Sequence, residues 1–251
     1  MPLPPLGEQR RIVSRIDEMS VKIEMAAAAR VDADKITTDL WRRIAEQFFE
    51  ILPKHATRQL RDLVTLLGGG TPSKANPLYW EGSIPWISPK DMKVKELYDA
   101  ADHISETATS ETSARPIQPG CVLIVVRGMI LAHTVPSAIL RVRAAINQDM
   151  KAMVPSEGLL PEYLCTTVWA LNRKFLALVE KSTHDTRKLE TDKLLNFEIP
   201  VPTLGEQRRI VAHLDGLQSR VDSLKKLQSK TAAELDALMP SILSKAFSGQ
   251  L

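Results

Sequence analysis

The sequence predicts an α+β protein, with a mixed α/β domain inserted between two long helices that form an antiparallel coiled coil. Three observations predict it. First, residues 6–13 read Leu-Gly-Glu-Gln-Arg-Arg-Ile-Val, and residues 204–211 read the same letters. The offset of 198 persists without a gap through Asp17/Asp215, Leu40/Leu238, Ile44/Ile242 and Phe49/Phe247, so this is a true internal repeat. Second, apolar residues in both copies recur at alternating steps of four and three. Third, Gly, Pro, Ser and Thr punctuate short apolar runs between the copies, as in a globular α/β domain.

The first arm runs from about Leu6 to Leu52, after an extended Pro-rich start. Its seam is Ile12, Ile16, Met19, Ile23, Ala26, Ala33, Leu40 and Ile44, interrupted at Arg30 and Thr37. That is a heptad pattern. A helix of about 40 residues would be roughly 60 Å long and needs a packing partner. The second arm supplies one, with Ile210, Leu214, Leu217, Val221, Leu224, Gln228, Thr231, Leu235, Leu238 and Ile242 as its seam. Gln228 and Thr231 align with Arg30 and Ala33, so both seams weaken at mid-length. These polar positions either fix register or are local imperfections. Thr203 and Glu206 have capping-box spacing, and Pro5 replaces that threonine in the first copy. Pro240 predicts a kink or restart near Met239, followed by a short amphipathic segment closed by Gly249.

Pro53 breaks the first helix. Arg58–Leu67 reads as a short helix, residues 68–77 as a long turn-rich loop, and Ser83–Asp91 as a short strand hemmed by prolines. Cys121–Val126 is the clearest buried strand. Ala138–Val142 and Met150–Val154 read as further strands, and Pro161–Glu180 has helical spacing. The expected boundaries are residues 1–53, 54–200 and 201–251.

Composition sets the outer limits. The 251 residues are 44% hydrophobic and 25% charged, as in a soluble protein with a core. Aromatics at 5% suit Ala/Leu-rich helices. Cys121 and Cys165 lie in apolar runs and are expected as buried free thiols in a reducing compartment. No signal peptide or membrane span is legible, which predicts a cytoplasmic protein. A net charge of +3 permits a nucleic-acid partner without announcing one. Histidines 55, 103, 133, 184 and 213 show no metal-ligand spacing. No cofactor fingerprint, methyltransferase motif or helicase motif is present, so no cofactor is expected and the chain reads as a recogniser. Ser223 and Lys226 match a Ser-x-x-Lys pattern by chance, inside the coiled coil.

Several segments together resemble one family. They are Gly68-Gly-Gly-Thr-Pro-Ser73, Trp80-Glu-Gly-Ser-Ile-Pro-Trp-Ile-Ser-Pro-Lys-Asp91, Pro119-Gly-Cys-Val-Leu-Ile-Val-Val-Arg-Gly128, Asn147-Gln-Asp-Met-Lys-Ala152, Ile199-Pro-Val-Pro-Thr-Leu-Gly-Glu-Gln207 and the ending from Pro240 to Leu251. In this order they resemble the specificity subunit of Type I restriction–modification systems. The resemblance implies target-recognition domains, each reading half of a split DNA sequence, spaced by two helices in an antiparallel coiled coil. It further implies docking of methyltransferase (modification) subunits and then of a nuclease/translocase subunit. This chain carries both helical regions but one recognition domain, like the second half of a full subunit. Either two copies associate as a homodimer, or one reads a half-site. An assembly protein without DNA recognition of its own is the alternative.

Candidate DNA contacts follow, each with a plainer structural role beside it. Lys74 rides on the Gly68–Gly70 loop, which is not a Walker motif because Ser73 precedes the lysine; it approaches phosphate or caps a surface turn. Ser88 and Lys90 flank Pro89, and Lys90 contacts DNA or pairs with Asp91. Arg127 follows a buried strand and projects from its end. Arg141 and Arg143 alternate with Val142 and so share one strand face, toward DNA or water. Asn147-Gln-Asp149 suits adenine or makes a structural turn. The run Lys181, Thr183, His184, Arg187 and Lys188 combines cations, a hydroxyl and an imidazole, as phosphate and base contacts do. In the repeat, Arg10, Arg11, Arg208 and Arg209 face phosphate or, preferably, the modification subunit.

Overall fold

The first repeat copy opens α1 (Leu6–Ile51), an uninterrupted helix. The computed structural model describes residues 5–51, 57–181, 186–248 and 250, without the side chains of residues 38 and 39. The Pro53 break, Gly249, Thr183 and His184 lie outside the described residues. The chain divides into two units, residues 1–43 with 215–251 and residues 44–214. The division therefore falls inside the long helices, not at their ends.

The 44–214 unit runs β1 (Thr57–Gln59), β2 (Val64–Gly68), β3 (Ile84–Ile87), β4 (Glu96–Leu97), β5 (Asp102–Ile104), α2 (Glu106–Glu111), β6 (Val122–Val125), β7 (Ser137–Leu140), β8 (Ala145–Ile146) and β9 (Met150–Pro155). Then come α3 (Pro161–Ala170), α4 (Asn172–Leu176), β10 (Val179–Lys181), β11 (Arg187–Leu189), α5 (Thr191–Leu195), β12 (Glu198–Pro200) and α6 (Leu204–Phe247). A five-stranded sheet has the order β2-β9-β6-β7-β4, and a three-stranded sheet the order β5-β3-β8. β6 is central and buried throughout, which is why its sequence is continuously apolar. α3 covers β6, β7 and β9. The Tyr163 hydroxyl inside this core donates to the Pro200 carbonyl at 2.8 Å.

Tertiary pairing overrides local spacing at Arg58–Leu67. Leu60, Leu63 and Val64 imitate a helical stripe. The segment instead pairs β1 with β12 and β2 with β9, around a single 3-10 turn at Leu60–Asp62. The predicted helix Pro161–Glu180 is likewise broken, into α3, α4 and the start of β10.

In the other unit, α1 and α6 pack side by side. The Arg30 guanidinium donates to the Gln228 carbonyl at 2.7 Å, and the Gln228 amide donates to the buried Thr37 hydroxyl at 3.0 Å. Within the 44–214 unit, the Phe48 ring lies 5.8 Å from that of His213. One partner number falls as the other rises, so the helices are antiparallel. Arg30 and Gln228 are also equivalent positions of the repeat, separated by its offset of 198. In an antiparallel pair, a residue meets its own equivalent only at a dyad. The repeat therefore has a pseudo-twofold axis at Arg30/Gln228. The polar mid-seam is hydrogen-bonded across the two helices, which favours the register role.

Part of the predicted seam shifts. Leu224 and Leu238 are 41% and 44% exposed and Thr231 is exposed, while Lys225, Ala232 and Met239 are half-buried. Steps of four on both sides of Val221 (Leu217, Val221, Lys225) form a stutter that moves the stripe by one residue. Lys225 covers it with its aliphatic stem. Pro240 does not restart α6, which continues to Phe247. Pro240 is exposed, so the carbonyl one turn back that loses its donor faces water. The capping box forms as predicted. The Thr203 amide and hydroxyl donate to Glu206 Oε2 at 3.0 and 2.8 Å, and the Glu206 amide donates back at 3.4 Å. The Thr203 hydroxyl and amide hold the Glu206 carboxyl below its ordinary range.

Candidate nucleic-acid interface

Strand direction decides which polar residues meet. β2 ends at Gly68 opposite Lys151, and β6 ends at Val125 opposite Met150 at the start of β9. β3 and β8 run parallel and end together, and the Asn147 amide donates to the Ile87 carbonyl at 3.0 Å. The segments after β2, β3, β6 and β8 thus leave from one end of the two sheets.

Gly69 and Gly70 are held there by packing. A Cβ on Gly69 would overlap the backbone carbonyls of Ile146 and Asn147, and one on Gly70 would overlap Ser113. The Gly70 amide donates to the Ile146 carbonyl at 2.9 Å, and the Trp86 indole donates to the Gly70 carbonyl at 2.9 Å. Beyond them Thr71 hydrogen-bonds Gln148, and Lys74 stands exposed on the next turn. Asn147 caps its own turn by accepting the Asp149 amide at 3.0 Å, so the structural-turn alternative holds for its side chain. The Asp149 carbonyl accepts the Val126 and Arg127 amides at 2.8 and 3.2 Å. The 146–149 turn thereby ties the glycine loop to the end of β6.

Arg127 in turn meets the polar run that follows β10. Arg127 and Lys188 form an antiparallel bridge. The Gly128 amide donates to the Arg187 carbonyl at 3.0 Å, and the Leu189 amide donates to the Val126 carbonyl at 2.9 Å. β10 pairs with β11 and sets Lys181 opposite Arg187. Arg127 therefore shares one place with Lys181, Arg187 and Lys188, from a distant stretch of the chain. Two nearby cations are balanced, Lys188 by Glu190 at 2.8 Å and Lys193 by Glu180 at 2.6 Å. The Lys193 ammonium holds the Glu180 carboxyl below its usual range. Lys74, Arg127 and Arg187 have no ion-pair partner among the described residues.

Lys151 also belongs to this end, with Nζ lying over Gly68. Sequence reading passed over it because it is a single cation in an apolar strand. The available signal was period-two alternation, which sets Lys151 on the opposite face from Met150 and Ala152.

Other candidates are placed differently. Ser88 is buried and caps the 3-10 turn Pro89–Asp91, with its hydroxyl and amide donating to Asp91 Oδ2 at 3.0 and 2.9 Å. Lys90 follows β3 at the same end, but it pairs with Asp102 at 2.6 Å rather than with Asp91. That hydrogen bond raises its ammonium pKa. Arg141 and Arg143 do not share a strand face, because β7 stops at Leu140. Arg141 bridges Glu96 at 2.6 Å and Glu162 at 2.8 Å, and Arg143 forks onto Glu106 at 2.6 and 2.9 Å. The two arginines hold the carboxyls of Glu96 and Glu106 below their usual range. Arg141 also lies at the opposite end of β6 from Arg127, since the Gly120 amide donates to the Leu140 carbonyl. Seven extended residues separate these ends, roughly 20 Å.

In the helical unit, Arg10 is exposed beside a shallow depression lined by Leu6, Gln9, Val13, Ser14 and Asp17. Arg11 pairs with Glu8 at 3.6 Å. Arg208 and Arg209 are exposed in the first turns of α6. Among the described residues, no group of three or more His, Cys, Asp or Glu is placed to hold a metal ion. Cys121 and Cys165 are buried and form no disulfide, and burial pushes the Cys121 thiol up to about 11. No helix of the described residues is long and apolar enough to cross a membrane.

The family model for the Type I restriction modification DNA specificity domain matches residues 54–234. The Type I restriction enzyme EcoR124I/EcoR124II specificity subunit of Escherichia coli is 40% identical over 158 residues, covering 62% of this chain and 39% of that protein. The MjaIX specificity subunit of Methanocaldococcus jannaschii is 30% identical over 187 residues, covering 71% and 42%. This chain thus spans about two fifths of the length of these two relatives. Among solved structures, one titled for complex assembly and conformational transition of the type I R-M system aligns with a TM-score of 0.80 at 29% identity. It covers 100% of this chain and 62% of the other. The HsdS subunit from Thermoanaerobacter tengcongensis aligns at 0.65 and 28%, covering 100% and 61%. The chain belongs to the Type I restriction modification DNA specificity domain family.

Proposed function

We propose that this chain is a sequence-specific DNA-binding specificity subunit of a Type I restriction–modification complex. It directs a modification subunit and a nuclease/translocase to a DNA target in the cytoplasm and performs no catalysis itself. The observation that carries the reading is the Arg127–Lys188 bridge. It gathers Arg127, Arg187, Lys188 and Lys181 at the sheet end that also holds Lys74, Lys90 and Lys151. Guanidinium groups on fixed backbone, without an ion-pair partner among the described residues, suit phosphate and guanine edges. Arg141 and Arg143 are left out of this surface, because carboxylates already occupy them. Arg10, Arg11, Arg208 and Arg209 are proposed to dock the modification subunit.

With its modification subunit, the chain is expected to retain a duplex bearing the site that the complex methylates, over a scrambled duplex. That binding should weaken steeply with salt. Equal binding of both duplexes, or none, defeats the reading.

We further propose a homodimer about the repeat. In the 44–214 unit, the Gln207 side chain is fully buried and Phe49 is 5% exposed. Their repeat equivalents are Gln9, which is half-buried, and Phe247, which is 79% exposed. By the sequence repeat, the helix residues that carry the recognition domain thus have equivalents of the same residue types that are more exposed. A second copy is the proposed occupant. A solution mass of twice the chain supports it, and a strict monomer, alone and with the modification subunit, removes it.

A further inference from the structure

Met129 and Ile130 are adjacent large apolar residues, 63% and 40% exposed, on a 3-10 turn that directly follows Arg127 and Gly128. The turn is not loose. Leu131 is buried at its base, the Leu131 amide donates to the Gly128 carbonyl at 3.2 Å, and the His133 amide donates to the Ile130 carbonyl at 3.0 Å. The turn packs on β11, where the Gly128 amide is held by the Arg187 carbonyl. Gly128 has φ of +130°, a region closed to other residues, and nothing stands within 4 Å of a Cβ built on it. Glycine is therefore required there by the backbone, which must turn sharply from β6 into the tip. The result is a fixed apolar knob, with Arg127 just before it in the chain and Arg187 and Lys188 on the strand it packs against.

We propose that Met129 and Ile130 enter a groove of the target duplex and contact base edges, while the flanking cations hold the phosphates. The proposal rests on the DNA-binding reading above and adds a specificity determinant to it. A duplex presents anionic rims beside an interior of base edges, including thymine methyl groups, which matches an apolar tip with cations next to it. An anionic bilayer offers a similar pairing of charge and apolar interior, and the test separates the two.

The test uses the full chain with its modification subunit, carrying Met129→Gln and Ile130→Thr together. Met129→Gln roughly keeps volume and Ile130→Thr trims it, and both side chains are exposed, so a thermal melt should stay close to the parent. The expected result is a loss of roughly fivefold or more on the target duplex. Affinity for a scrambled duplex and the salt slope should stay unchanged, because no phosphate contact is lost. Equal losses on both duplexes, or no loss on either, overturn the proposal with the DNA reading intact. So does a variant whose only defect is weaker binding to phosphatidylserine vesicles. Failure of the parent complex to prefer its target instead defeats the DNA-binding reading, and this inference with it.

Discussion

Gln207→Leu is expected to lower the stability of the 44–214 unit by about 3 kcal/mol or more, read as a fall in urea midpoint at unchanged slope. The Gln207 amide donates to the carbonyls of Gly158 and Pro202 at 2.8 and 2.9 Å, and its Oε1 accepts the Leu160 amide at 2.9 Å. The side chain is fully buried. Leucine fills a similar volume but leaves the Leu160 donor and two acceptors unsatisfied, each costing about 1–3 kcal/mol. The repeat provides an internal control. Gln9→Leu at the half-buried equivalent should cost clearly less. Equal costs at the two positions would show that Gln207 acts through helix propensity rather than through its partners.

Gly69→Ala is expected to cost about 3 kcal/mol and to weaken DNA binding as well. The added methyl would overlap the backbone of Ile146 and Asn147, which no rotamer change can relieve. Moving that backbone displaces the 147–149 turn, whose Asp149 carbonyl holds the Arg127 amide. Gly216→Ala is the control, because α6 leaves open space around Gly216. Removing a glycine from a helix interior should there stabilise by about 1 kcal/mol. A melt in which the two substitutions shift in the same direction would refute the close-packing explanation.

Local patterns carried much of the architecture. The repeat, the capping box and the apolar run of β6 were legible because each depends on neighbours in sequence. The stutter at Val221 was not, since Leu224 and Leu238 continue a regular step and only the partner helix selects the buried stripe. Of the kink or restart expected at Pro240, the restart does not occur: α6 runs on to Phe247, with Pro240 on its exposed side. Arg58–Leu67 was misread because its strands pair with β12 and β9 from the far side of the domain. The candidate site divides in the same way. Arg127 and the 181–188 run were each suggestive alone, but their union depends on a bridge between distant segments. In sequence, Arg141 was a candidate DNA contact alongside Arg127. Glu96 and Glu162, brought from two other elements, neutralise it.

Comparing the two ends of β6 tests the central claim most directly. Affinity for the target duplex should be measured for the complex carrying Arg187→Ala and for the complex carrying Arg141→Ala. Arg187→Ala is expected to lose about 1–3 kcal/mol, and Arg141→Ala to change within error. A loss confined to Arg141→Ala, with Arg187→Ala binding like the parent, would contradict it.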